Sequence, residues 1–171
     1  MSRQTILHIV RFIALWLVQG LLLSNVVLMG GNAQVYLYTL FIIMLPLRMS
    51  TGFAMLLAFL LGLGIDMFYD SPGLHTSAAV VAAFVRPYFI QLLTPRDDYD
   101  INDRATISKM GLFWFVRLCL GVMLVHSFWL FLLETFSFSG IGSAMLKALS
   151  TAFITLIVGV VTVFLFSRKK D

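Results

Sequence analysis

Two ionisable residues lie beside one short turn within an otherwise apolar stretch. Asp66 precedes His75 by nine residues, and the turn between them reads Tyr69-Asp70-Ser71-Pro72-Gly73, a composition typical of a tight reversal. A carboxylate buried in an apolar segment is costly and suggests function by default. If the turn folds its flanking segments together, Asp66 and His75 become each other's nearest polar partners. We expect a hydrogen bond or ion pair between them, which either fixes a hairpin or serves a partner or an ion.

The same stretch contains two short strings found in intramembrane proteolysis. Gly62-Leu63-Gly64-Ile65-Asp66 and Tyr69-Asp70 are similar to the GxGD and YD motifs of intramembrane aspartyl proteases. The spacing differs by one residue, and both carboxylates fall on one predicted helix instead of facing each other across two. The sequence also has no HExxH string, glycine-rich phosphate loop or Cys/His cluster. We therefore expect no enzymatic activity, no cofactor and no metal site.

The composition places these residues in a membrane protein. Of the 171 residues, 60% are hydrophobic and only 12% are charged, whereas a soluble domain has roughly 25% charged residues. There is too little polar material to cover a water-soluble surface. We predict a single integral membrane domain over residues 1–171, of the all-α class, with no nucleic-acid partner.

Six segments are candidates for membrane crossing, since a helix needs about 20 mostly apolar residues to span a core of about 30 Å. The weakest is the second, which Pro46 and Arg48 close early. The predicted spans are Ile6–Met29, Ala33–Leu47, Gly52–Tyr69, Gly73–Leu93, Gly111–Glu134 and Ala144–Phe166.

The positions of Lys and Arg favour six spans over five. Cytoplasmic connections are enriched in these residues. With six spans and an inner N-terminus, the cytoplasmic segments hold eight cations, from Arg3 to Lys170, and the outer connections hold none. Five spans would place the basic residues of the loop Thr94–Met110 and those of the C-terminus on opposite sides. We predict a multi-pass protein of the cell inner membrane with both termini in the cytoplasm.

Small residues mark the predicted packing face of the central hairpin. Ala58, Gly62 and Asp66 recur every four residues on span three, and span four carries Ala79 and Ala83. Small residues at this spacing allow helix backbones to approach closely in lipid. We expect a close antiparallel hairpin. The candidate packing or partner-binding residues are Asp66, His75, Gly62, Ala58, Ala79 and Ala83.

Three arginines lie at similar predicted depth, roughly two turns from the cytoplasmic face. Arg11, Arg86 and Arg117 either extend to lipid phosphates or form an inner-leaflet basic ring that holds an anionic lipid or a partner's acidic residue. On span five, His126 and Glu134 share a face, where we expect interhelical hydrogen bonds.

The stretch Leu57–Tyr99, LAFLLGLGIDMFYDSPGLHTSAAVVAAFVRPYFIQLLTPRDDY, resembles the rod shape-determining protein MreD family, in particular its Bacteroidetes-type members. Most of the resemblance rests on the string L-G-x-x-x-D-x-F…G-L-H…R-P. The stretches Asn32–Pro46 and His126–Phe138 support it, and the length and predicted topology agree.

The resemblance implies a non-enzymatic scaffold of the cell-elongation machinery that synthesises peptidoglycan. Its implied partners are MreC, the actin-like MreB, the glycosyltransferase RodA and a class B penicillin-binding transpeptidase. The implied fold is similar to the six-helix substrate-binding subunit of energy-coupling-factor transporters, and the implied mechanism is docking of MreC's transmembrane helix on helix faces.

A second function remains open, namely a vitamin-binding subunit of an energy-coupling-factor type transporter. Such subunits typically dock through an A-x-x-x-A face on the first helix. Span one offers Ala14-x-x-x-Val18 instead, which weakens this alternative.

Overall fold

The computed structural model describes residues 3–94, 105–136 and 140–167. The protein is mostly helical (80%), with one small two-stranded antiparallel sheet. The elements in chain order are α1 (Arg3–Leu17), a π-helix (Val18–Leu23), β1 (Val27–Leu28), a 3-10 turn (Met29–Gly31), β2 (Ala33–Gln34), α2 (Thr39–Ile43), α3 (Thr51–Tyr69), α4 (Leu74–Leu92), α5 (Ile107–Met110), α6 (Leu112–Thr135) and α7 (Ile141–Ser167).

Four helical segments are long and apolar enough to cross a membrane within the described part of the chain. They are Ile6–Leu23, Thr51–Tyr69, Leu112–Thr135 and Ile141–Phe166. They fit the predicted all-α membrane class. Helix α4 has the same 19-residue length as α3. The count of six spans and the side of the termini stay predictions.

The predicted second span, Ala33–Leu47, is not a continuous helix, and that expectation is wrong. It consists of β2, irregular backbone and the five-residue α2. A helix is not required here because side chains from other elements bind the segment's backbone groups. Its residues from Val35 to Leu45 are nevertheless almost completely buried, between 0 and 8% exposed. Non-helical backbone is tolerated at membrane depth when it is enclosed by protein in this way. We call Ala33–Leu47 the threaded segment.

The first predicted span ends earlier than Met29. The helix continues from α1 into the π-helix and ends at Leu23, after which the chain forms the β1–β2 hairpin. Two reciprocal ring-on-glycine contacts hold this first helix against α3. A Cβ added at Gly64 would lie 2.9 Å from Cε2 of Trp16, and one added at Gly20 would lie 2.5 Å from Cε2 of Phe68. Most of the outer face of α1 is exposed.

The predicted close packing of the central hairpin is confirmed. A Cβ added at Gly62 would lie only 2.5 Å from Cα of Thr76, so the α3 backbone lies directly on α4. Ala58, Ala79 and Ala83 are each 0% exposed. Close approach of the two helices places the turn-proximal side chains within hydrogen-bonding range.

Several sequence predictions concern residues outside the described ranges. Most of the predicted cytoplasmic loop Thr94–Met110 is among them, and only its end forms the short α5. The cations of residues 168–170 and part of the outer connection at 137–139 also lie outside the described residues.

Candidate functional site

The Asp66 carboxylate lies at the N-terminus of α4 and accepts hydrogen bonds from several groups there. The backbone N–H groups of Gly73, His75 and Thr76 donate to it over 3.0, 2.9 and 3.0 Å. The hydroxyl groups of Ser71 and Thr76 also donate to it, over 3.2 and 2.5 Å. Asp66 is only 6% exposed. A side chain of α3 thus caps the following helix, whose own N-cap, Gly73, has no side chain.

The expected contact between Asp66 and His75 is present, with Nδ1 of His75 at 3.2 Å from Oδ1 of Asp66. However, the imidazole supplies only one of six contacts to the carboxylate. The free backbone N–H groups and the positive end of the helix dipole stabilise a negative charge at this position. Asp66 therefore joins the turn to both helices of the hairpin, and His75 is a secondary partner.

Five rings pack together beside the turn, and we call them the ring cluster: Tyr36, Tyr38, Tyr69, His75 and His126. Tyr36 lies at the centre, with its ring centroid 5.4 Å from that of His75 and 5.6 Å from that of His126. The Tyr69 and His75 centroids are 4.4 Å apart. The Tyr38 hydroxyl lies 2.6 Å from Nε2 of His126, so His126 does form a buried hydrogen bond, but to the threaded segment and not to a second helix as predicted. Glu134, predicted on the same face, is exposed.

The Gln19 side-chain amide hydrogen-bonds to the backbone of the threaded segment as a neighbouring peptide group would. Its amide nitrogen donates to the Val35 carbonyl over 2.9 Å, and its amide oxygen accepts from the Tyr38 N–H over 3.4 Å. The same nitrogen donates to the Tyr69 hydroxyl over 2.7 Å. Gln19 belongs to the π-helix and is 0% exposed. Such wide turns often occur at functional sites, and this one carries the amide that binds the segment.

Two threonines of α7 bind the opposite side of the threaded segment. The Gln34 N–H donates to Oγ1 of Thr151, and the Tyr36 N–H donates to Oγ1 of Thr155, both over 3.1 Å. One turn further along, a Cβ added at Gly159 would lie 3.2 Å from Leu40. Helix α7 therefore presents hydroxyl groups and a glycine to the segment between Thr151 and Gly159, near its middle.

Arg86 binds the far end of the threaded segment. Its Nε donates to the Ile43 carbonyl over 3.2 Å, and its Nη2 donates to the carbonyls of Leu45 and Pro46. Arg86 is 2% exposed. The expectation that it extends to lipid phosphates is therefore wrong, because the end of a short helix supplies carbonyl acceptors for the guanidinium in the interior. Arg117 is exposed and Arg11 is partly exposed, so the three arginines do not share one lipid-facing surface.

Of the residues that bind the threaded segment, Gln19, Thr151 and Thr155 were missed from sequence, whereas Arg86 was singled out but for a different role. A signal existed on α7, where Ala144, Ala148 and Ala152 recur every four residues beside Thr151 and Thr155. This is the same small-residue spacing that predicted the central hairpin. No spacing pattern singles out Gln19, which is one amide in an apolar helix.

A shallow groove of about 330 Å³ lies between α6 and α7. Its walls are apolar and include Val125, Phe128, Met145 and Leu149. Within the described ranges, no three His, Cys, Asp or Glu side chains are grouped so that they could hold a metal ion.

Comparisons with known proteins give no assignment. No family model matches the chain, and no curated protein or solved structure matches it.

Proposed function

We propose that the protein is a non-enzymatic membrane scaffold of the bacterial cell-elongation machinery, similar in role to MreD. In this proposal it lies in the cell inner membrane and binds MreC through its helix faces. MreB, RodA and a class B penicillin-binding transpeptidase are the neighbouring components. The sequence resemblance over Leu57–Tyr99 supplies the identity of these partners.

The observation that carries the proposal concerns Asp66 and Arg86, the two charged residues of the sequence string that resembles MreD: both bind the protein's own backbone. Asp66 accepts hydrogen bonds from the backbone N–H groups of α4, and Arg86 donates to backbone carbonyls of the threaded segment. Both side chains join elements of the fold. A protein whose distinctive polar residues hold its own backbone together offers its outer helix faces for binding, as a scaffold requires.

Helix α1 supplies an apolar face of the kind that a partner's transmembrane helix fits. Ile6, Val10, Ile13 and Leu17 follow helical spacing and are each 39–56% exposed. In a bilayer such a stripe contacts either lipid or another helix, and apolar helices associate there by close packing.

The proposal includes six membrane crossings, made by the four long apolar helices, α4 and the threaded segment. Tyr36 packs on His75, and Ile43 is bound by Arg86, eleven residues further along α4. At 1.5 Å per residue the segment follows α4 for roughly 16 Å, about half of a hydrocarbon core. An even number of crossings keeps both termini on the same side, and the positions of Lys and Arg predict that this side is the cytoplasm.

Cysteine labelling tests this topology, and the chain's own Cys119 is buried. Cysteines at Asn32 and Pro72 should react with a membrane-impermeant reagent from the periplasmic side, whereas one at Asp100 should react only after the membrane is opened. Pro72 is exposed, and its side chain takes no part in binding Asp66. Labelling of the Asp100 position from outside would overturn the six-crossing arrangement.

The second candidate is the vitamin-binding subunit of an energy-coupling-factor type transporter. The threaded segment favours it, because non-helical backbone at membrane depth often accompanies a ligand site in transporters. Purification in mild detergent, followed by mass spectrometry of the extracted small molecules, distinguishes the two. A stoichiometric vitamin supports the transporter subunit, and recovery of MreC supports the scaffold.

Depletion gives the cellular test of the scaffold. Cells that lose the protein should round or widen and become sensitive to inhibitors of peptidoglycan synthesis, with no loss of vitamin uptake. Normal cell shape together with a new vitamin requirement would contradict the scaffold proposal.

A further inference from the structure

Two imidazole nitrogens of the ring cluster are enclosed without a hydrogen-bond partner among the described residues. They are Nε2 of His75 and Nδ1 of His126. His75 is 3% exposed and His126 is 0% exposed. A buried polar atom without a partner costs about 1–3 kcal/mol, and buried polar groups nearly always have one. The two nitrogens therefore point to a further group in the interior.

The contacts of His75 fix the character of its free nitrogen. Its Nδ1 lies 3.2 Å from Oδ1 of Asp66 and 3.0 Å from Oγ of Ser71. A carboxylate oxygen only accepts, so Nδ1 carries the proton and donates it. In a neutral imidazole the other nitrogen then has a lone pair and no proton. With the ring neutral, Nε2 of His75 is therefore a hydrogen-bond acceptor.

The contacts of His126 fix the opposite character. The Tyr38 hydroxyl lies 2.6 Å from Nε2 of His126. Among the described residues no other acceptor lies within reach of that hydroxyl proton, so Tyr38 donates it to Nε2. The neutral imidazole then carries its own proton on Nδ1. Nδ1 of His126 is a hydrogen-bond donor.

The acceptor and the donor surround the same two tyrosines. The His75 and His126 rings lie 5.4 and 5.6 Å from Tyr36, and 6.2 and 5.3 Å from Tyr38. The interior next to these rings thus offers one acceptor and one donor within a single cluster of side chains.

We propose that the ring cluster binds hydroxyl groups, with an O–H donating to Nε2 of His75 and a hydroxyl oxygen accepting from Nδ1 of His126. A hydroxyl is the small group that both donates and accepts. Its source is either internal water, which typically makes about three hydrogen bonds in a protein interior, or a hydroxylated small molecule. This site lies in the interior and is independent of helix-face docking, so it can fail while the scaffold proposal holds.

Solid-state NMR of the full-length protein in bilayers tests the site without any substitution. With ¹⁵N-labelled His and Trp, the spectrum reports which ring nitrogens carry protons and which receive magnetisation from mobile O–H protons. We expect protonated Nδ1 on both histidines and transfer from O–H protons to Nε2 of His75 and Nδ1 of His126. The indole nitrogens of Trp16 and Trp129 are also unpartnered among the described residues, but each is a single donor on a partly exposed residue outside the ring cluster. They are the controls and should receive weaker transfer.

Mass spectrometry of a solvent extract of the same sample identifies the source. A hydroxylated small molecule near one equivalent per chain assigns the site to a ligand, and its absence together with the O–H transfer assigns it to water. The proposal is overturned if either of these histidine nitrogens receives no transfer, if transfer is no stronger than to the two indoles, or if Nε2 of His75 carries a proton.

Discussion

Replacing Asp66 by Asn isolates the capping role of its carboxylate. The amide keeps one oxygen and places an NH₂ group where the second oxygen was. Turned one way, the NH₂ faces the N–H groups of Gly73 and Thr76; turned the other way, it faces the N–H of His75. In either orientation at least one buried backbone donor of α4 loses its acceptor.

The magnitude follows from the number of donors left without a partner. One or two unsatisfied buried donors at about 1–3 kcal/mol each give a loss between about 1 and 6 kcal/mol, and we take the middle of that range, roughly 2–4 kcal/mol. For a domain of this size 1 kcal/mol lowers Tm by about 2–4 °C, so Asp66→Asn should melt roughly 5–15 °C lower in detergent. His75→Phe keeps the ring packing and removes one of six contacts to the carboxylate, so it should cost only about 1 kcal/mol.

The matched control lies four residues away in the same turn. Asp70→Asn makes the same chemical change at an exposed residue with φ of 48°, a backbone conformation that Asn tolerates well. It should change Tm by less than about 2 °C. If Asp66→Asn melts within that range of Asp70→Asn, or if His75→Phe is the more damaging variant, the carboxylate does not cap α4 and the reasoning is refuted.

Two further substitutions test helix packing and the binding of the threaded segment, each by thermal unfolding in detergent. Gly62→Ala should lower the free energy of unfolding by roughly 1–3 kcal/mol, because its Cβ would meet the α4 backbone at 2.5 Å. The control is Gly52→Ala on the same helix, where no atom lies within 4 Å of the added Cβ, so this change should be neutral or slightly stabilising. Equal melting temperatures of the two variants would show that the hairpin is not tightly packed. Arg86→Lys should lower the free energy of unfolding by about 2 kcal/mol or more, since one ammonium cannot reproduce the planar donors that bind three carbonyls. The control, Arg117→Lys at an exposed residue, should lower it by less than about 0.5 kcal/mol. A tolerated Arg86→Lys would mean that the guanidinium does not hold the segment.

The sequence was sufficient for the features that depend on local pattern. Hydropathy indicated a membrane protein, and the four-residue spacing of Ala58 and Gly62 predicted the hairpin that places Asp66 against His75. The threaded segment was not predictable in this way. Hydropathy reports how favourably side chains leave water, but it does not report which groups hydrogen-bond to the backbone. A buried segment whose N–H and C=O groups bind Gln19 or Thr155 has the same apolar composition as a helix. The one sequence feature that distinguished it from the other predicted spans was its short length, which ends at Pro46.

The same limit explains the error at Arg86. Depth along a predicted helix suggested an arginine near the lipid headgroups, and the acceptors that hold it in the interior exist only once the threaded segment has left helical geometry. Charge positions in a sequence therefore do not report which charged side chains are buried.

Native copurification tests the scaffold proposal most directly. The full chain, carrying an affinity tag, is extracted from its own membranes in mild detergent, and the bound proteins and small molecules are identified by mass spectrometry against an unrelated multi-pass protein with the same tag. The proposal predicts that MreC is recovered specifically, together with other components of the elongation machinery and without a vitamin. Recovery of a stoichiometric vitamin and a transporter's ATP-binding subunits, with no MreC, would contradict it.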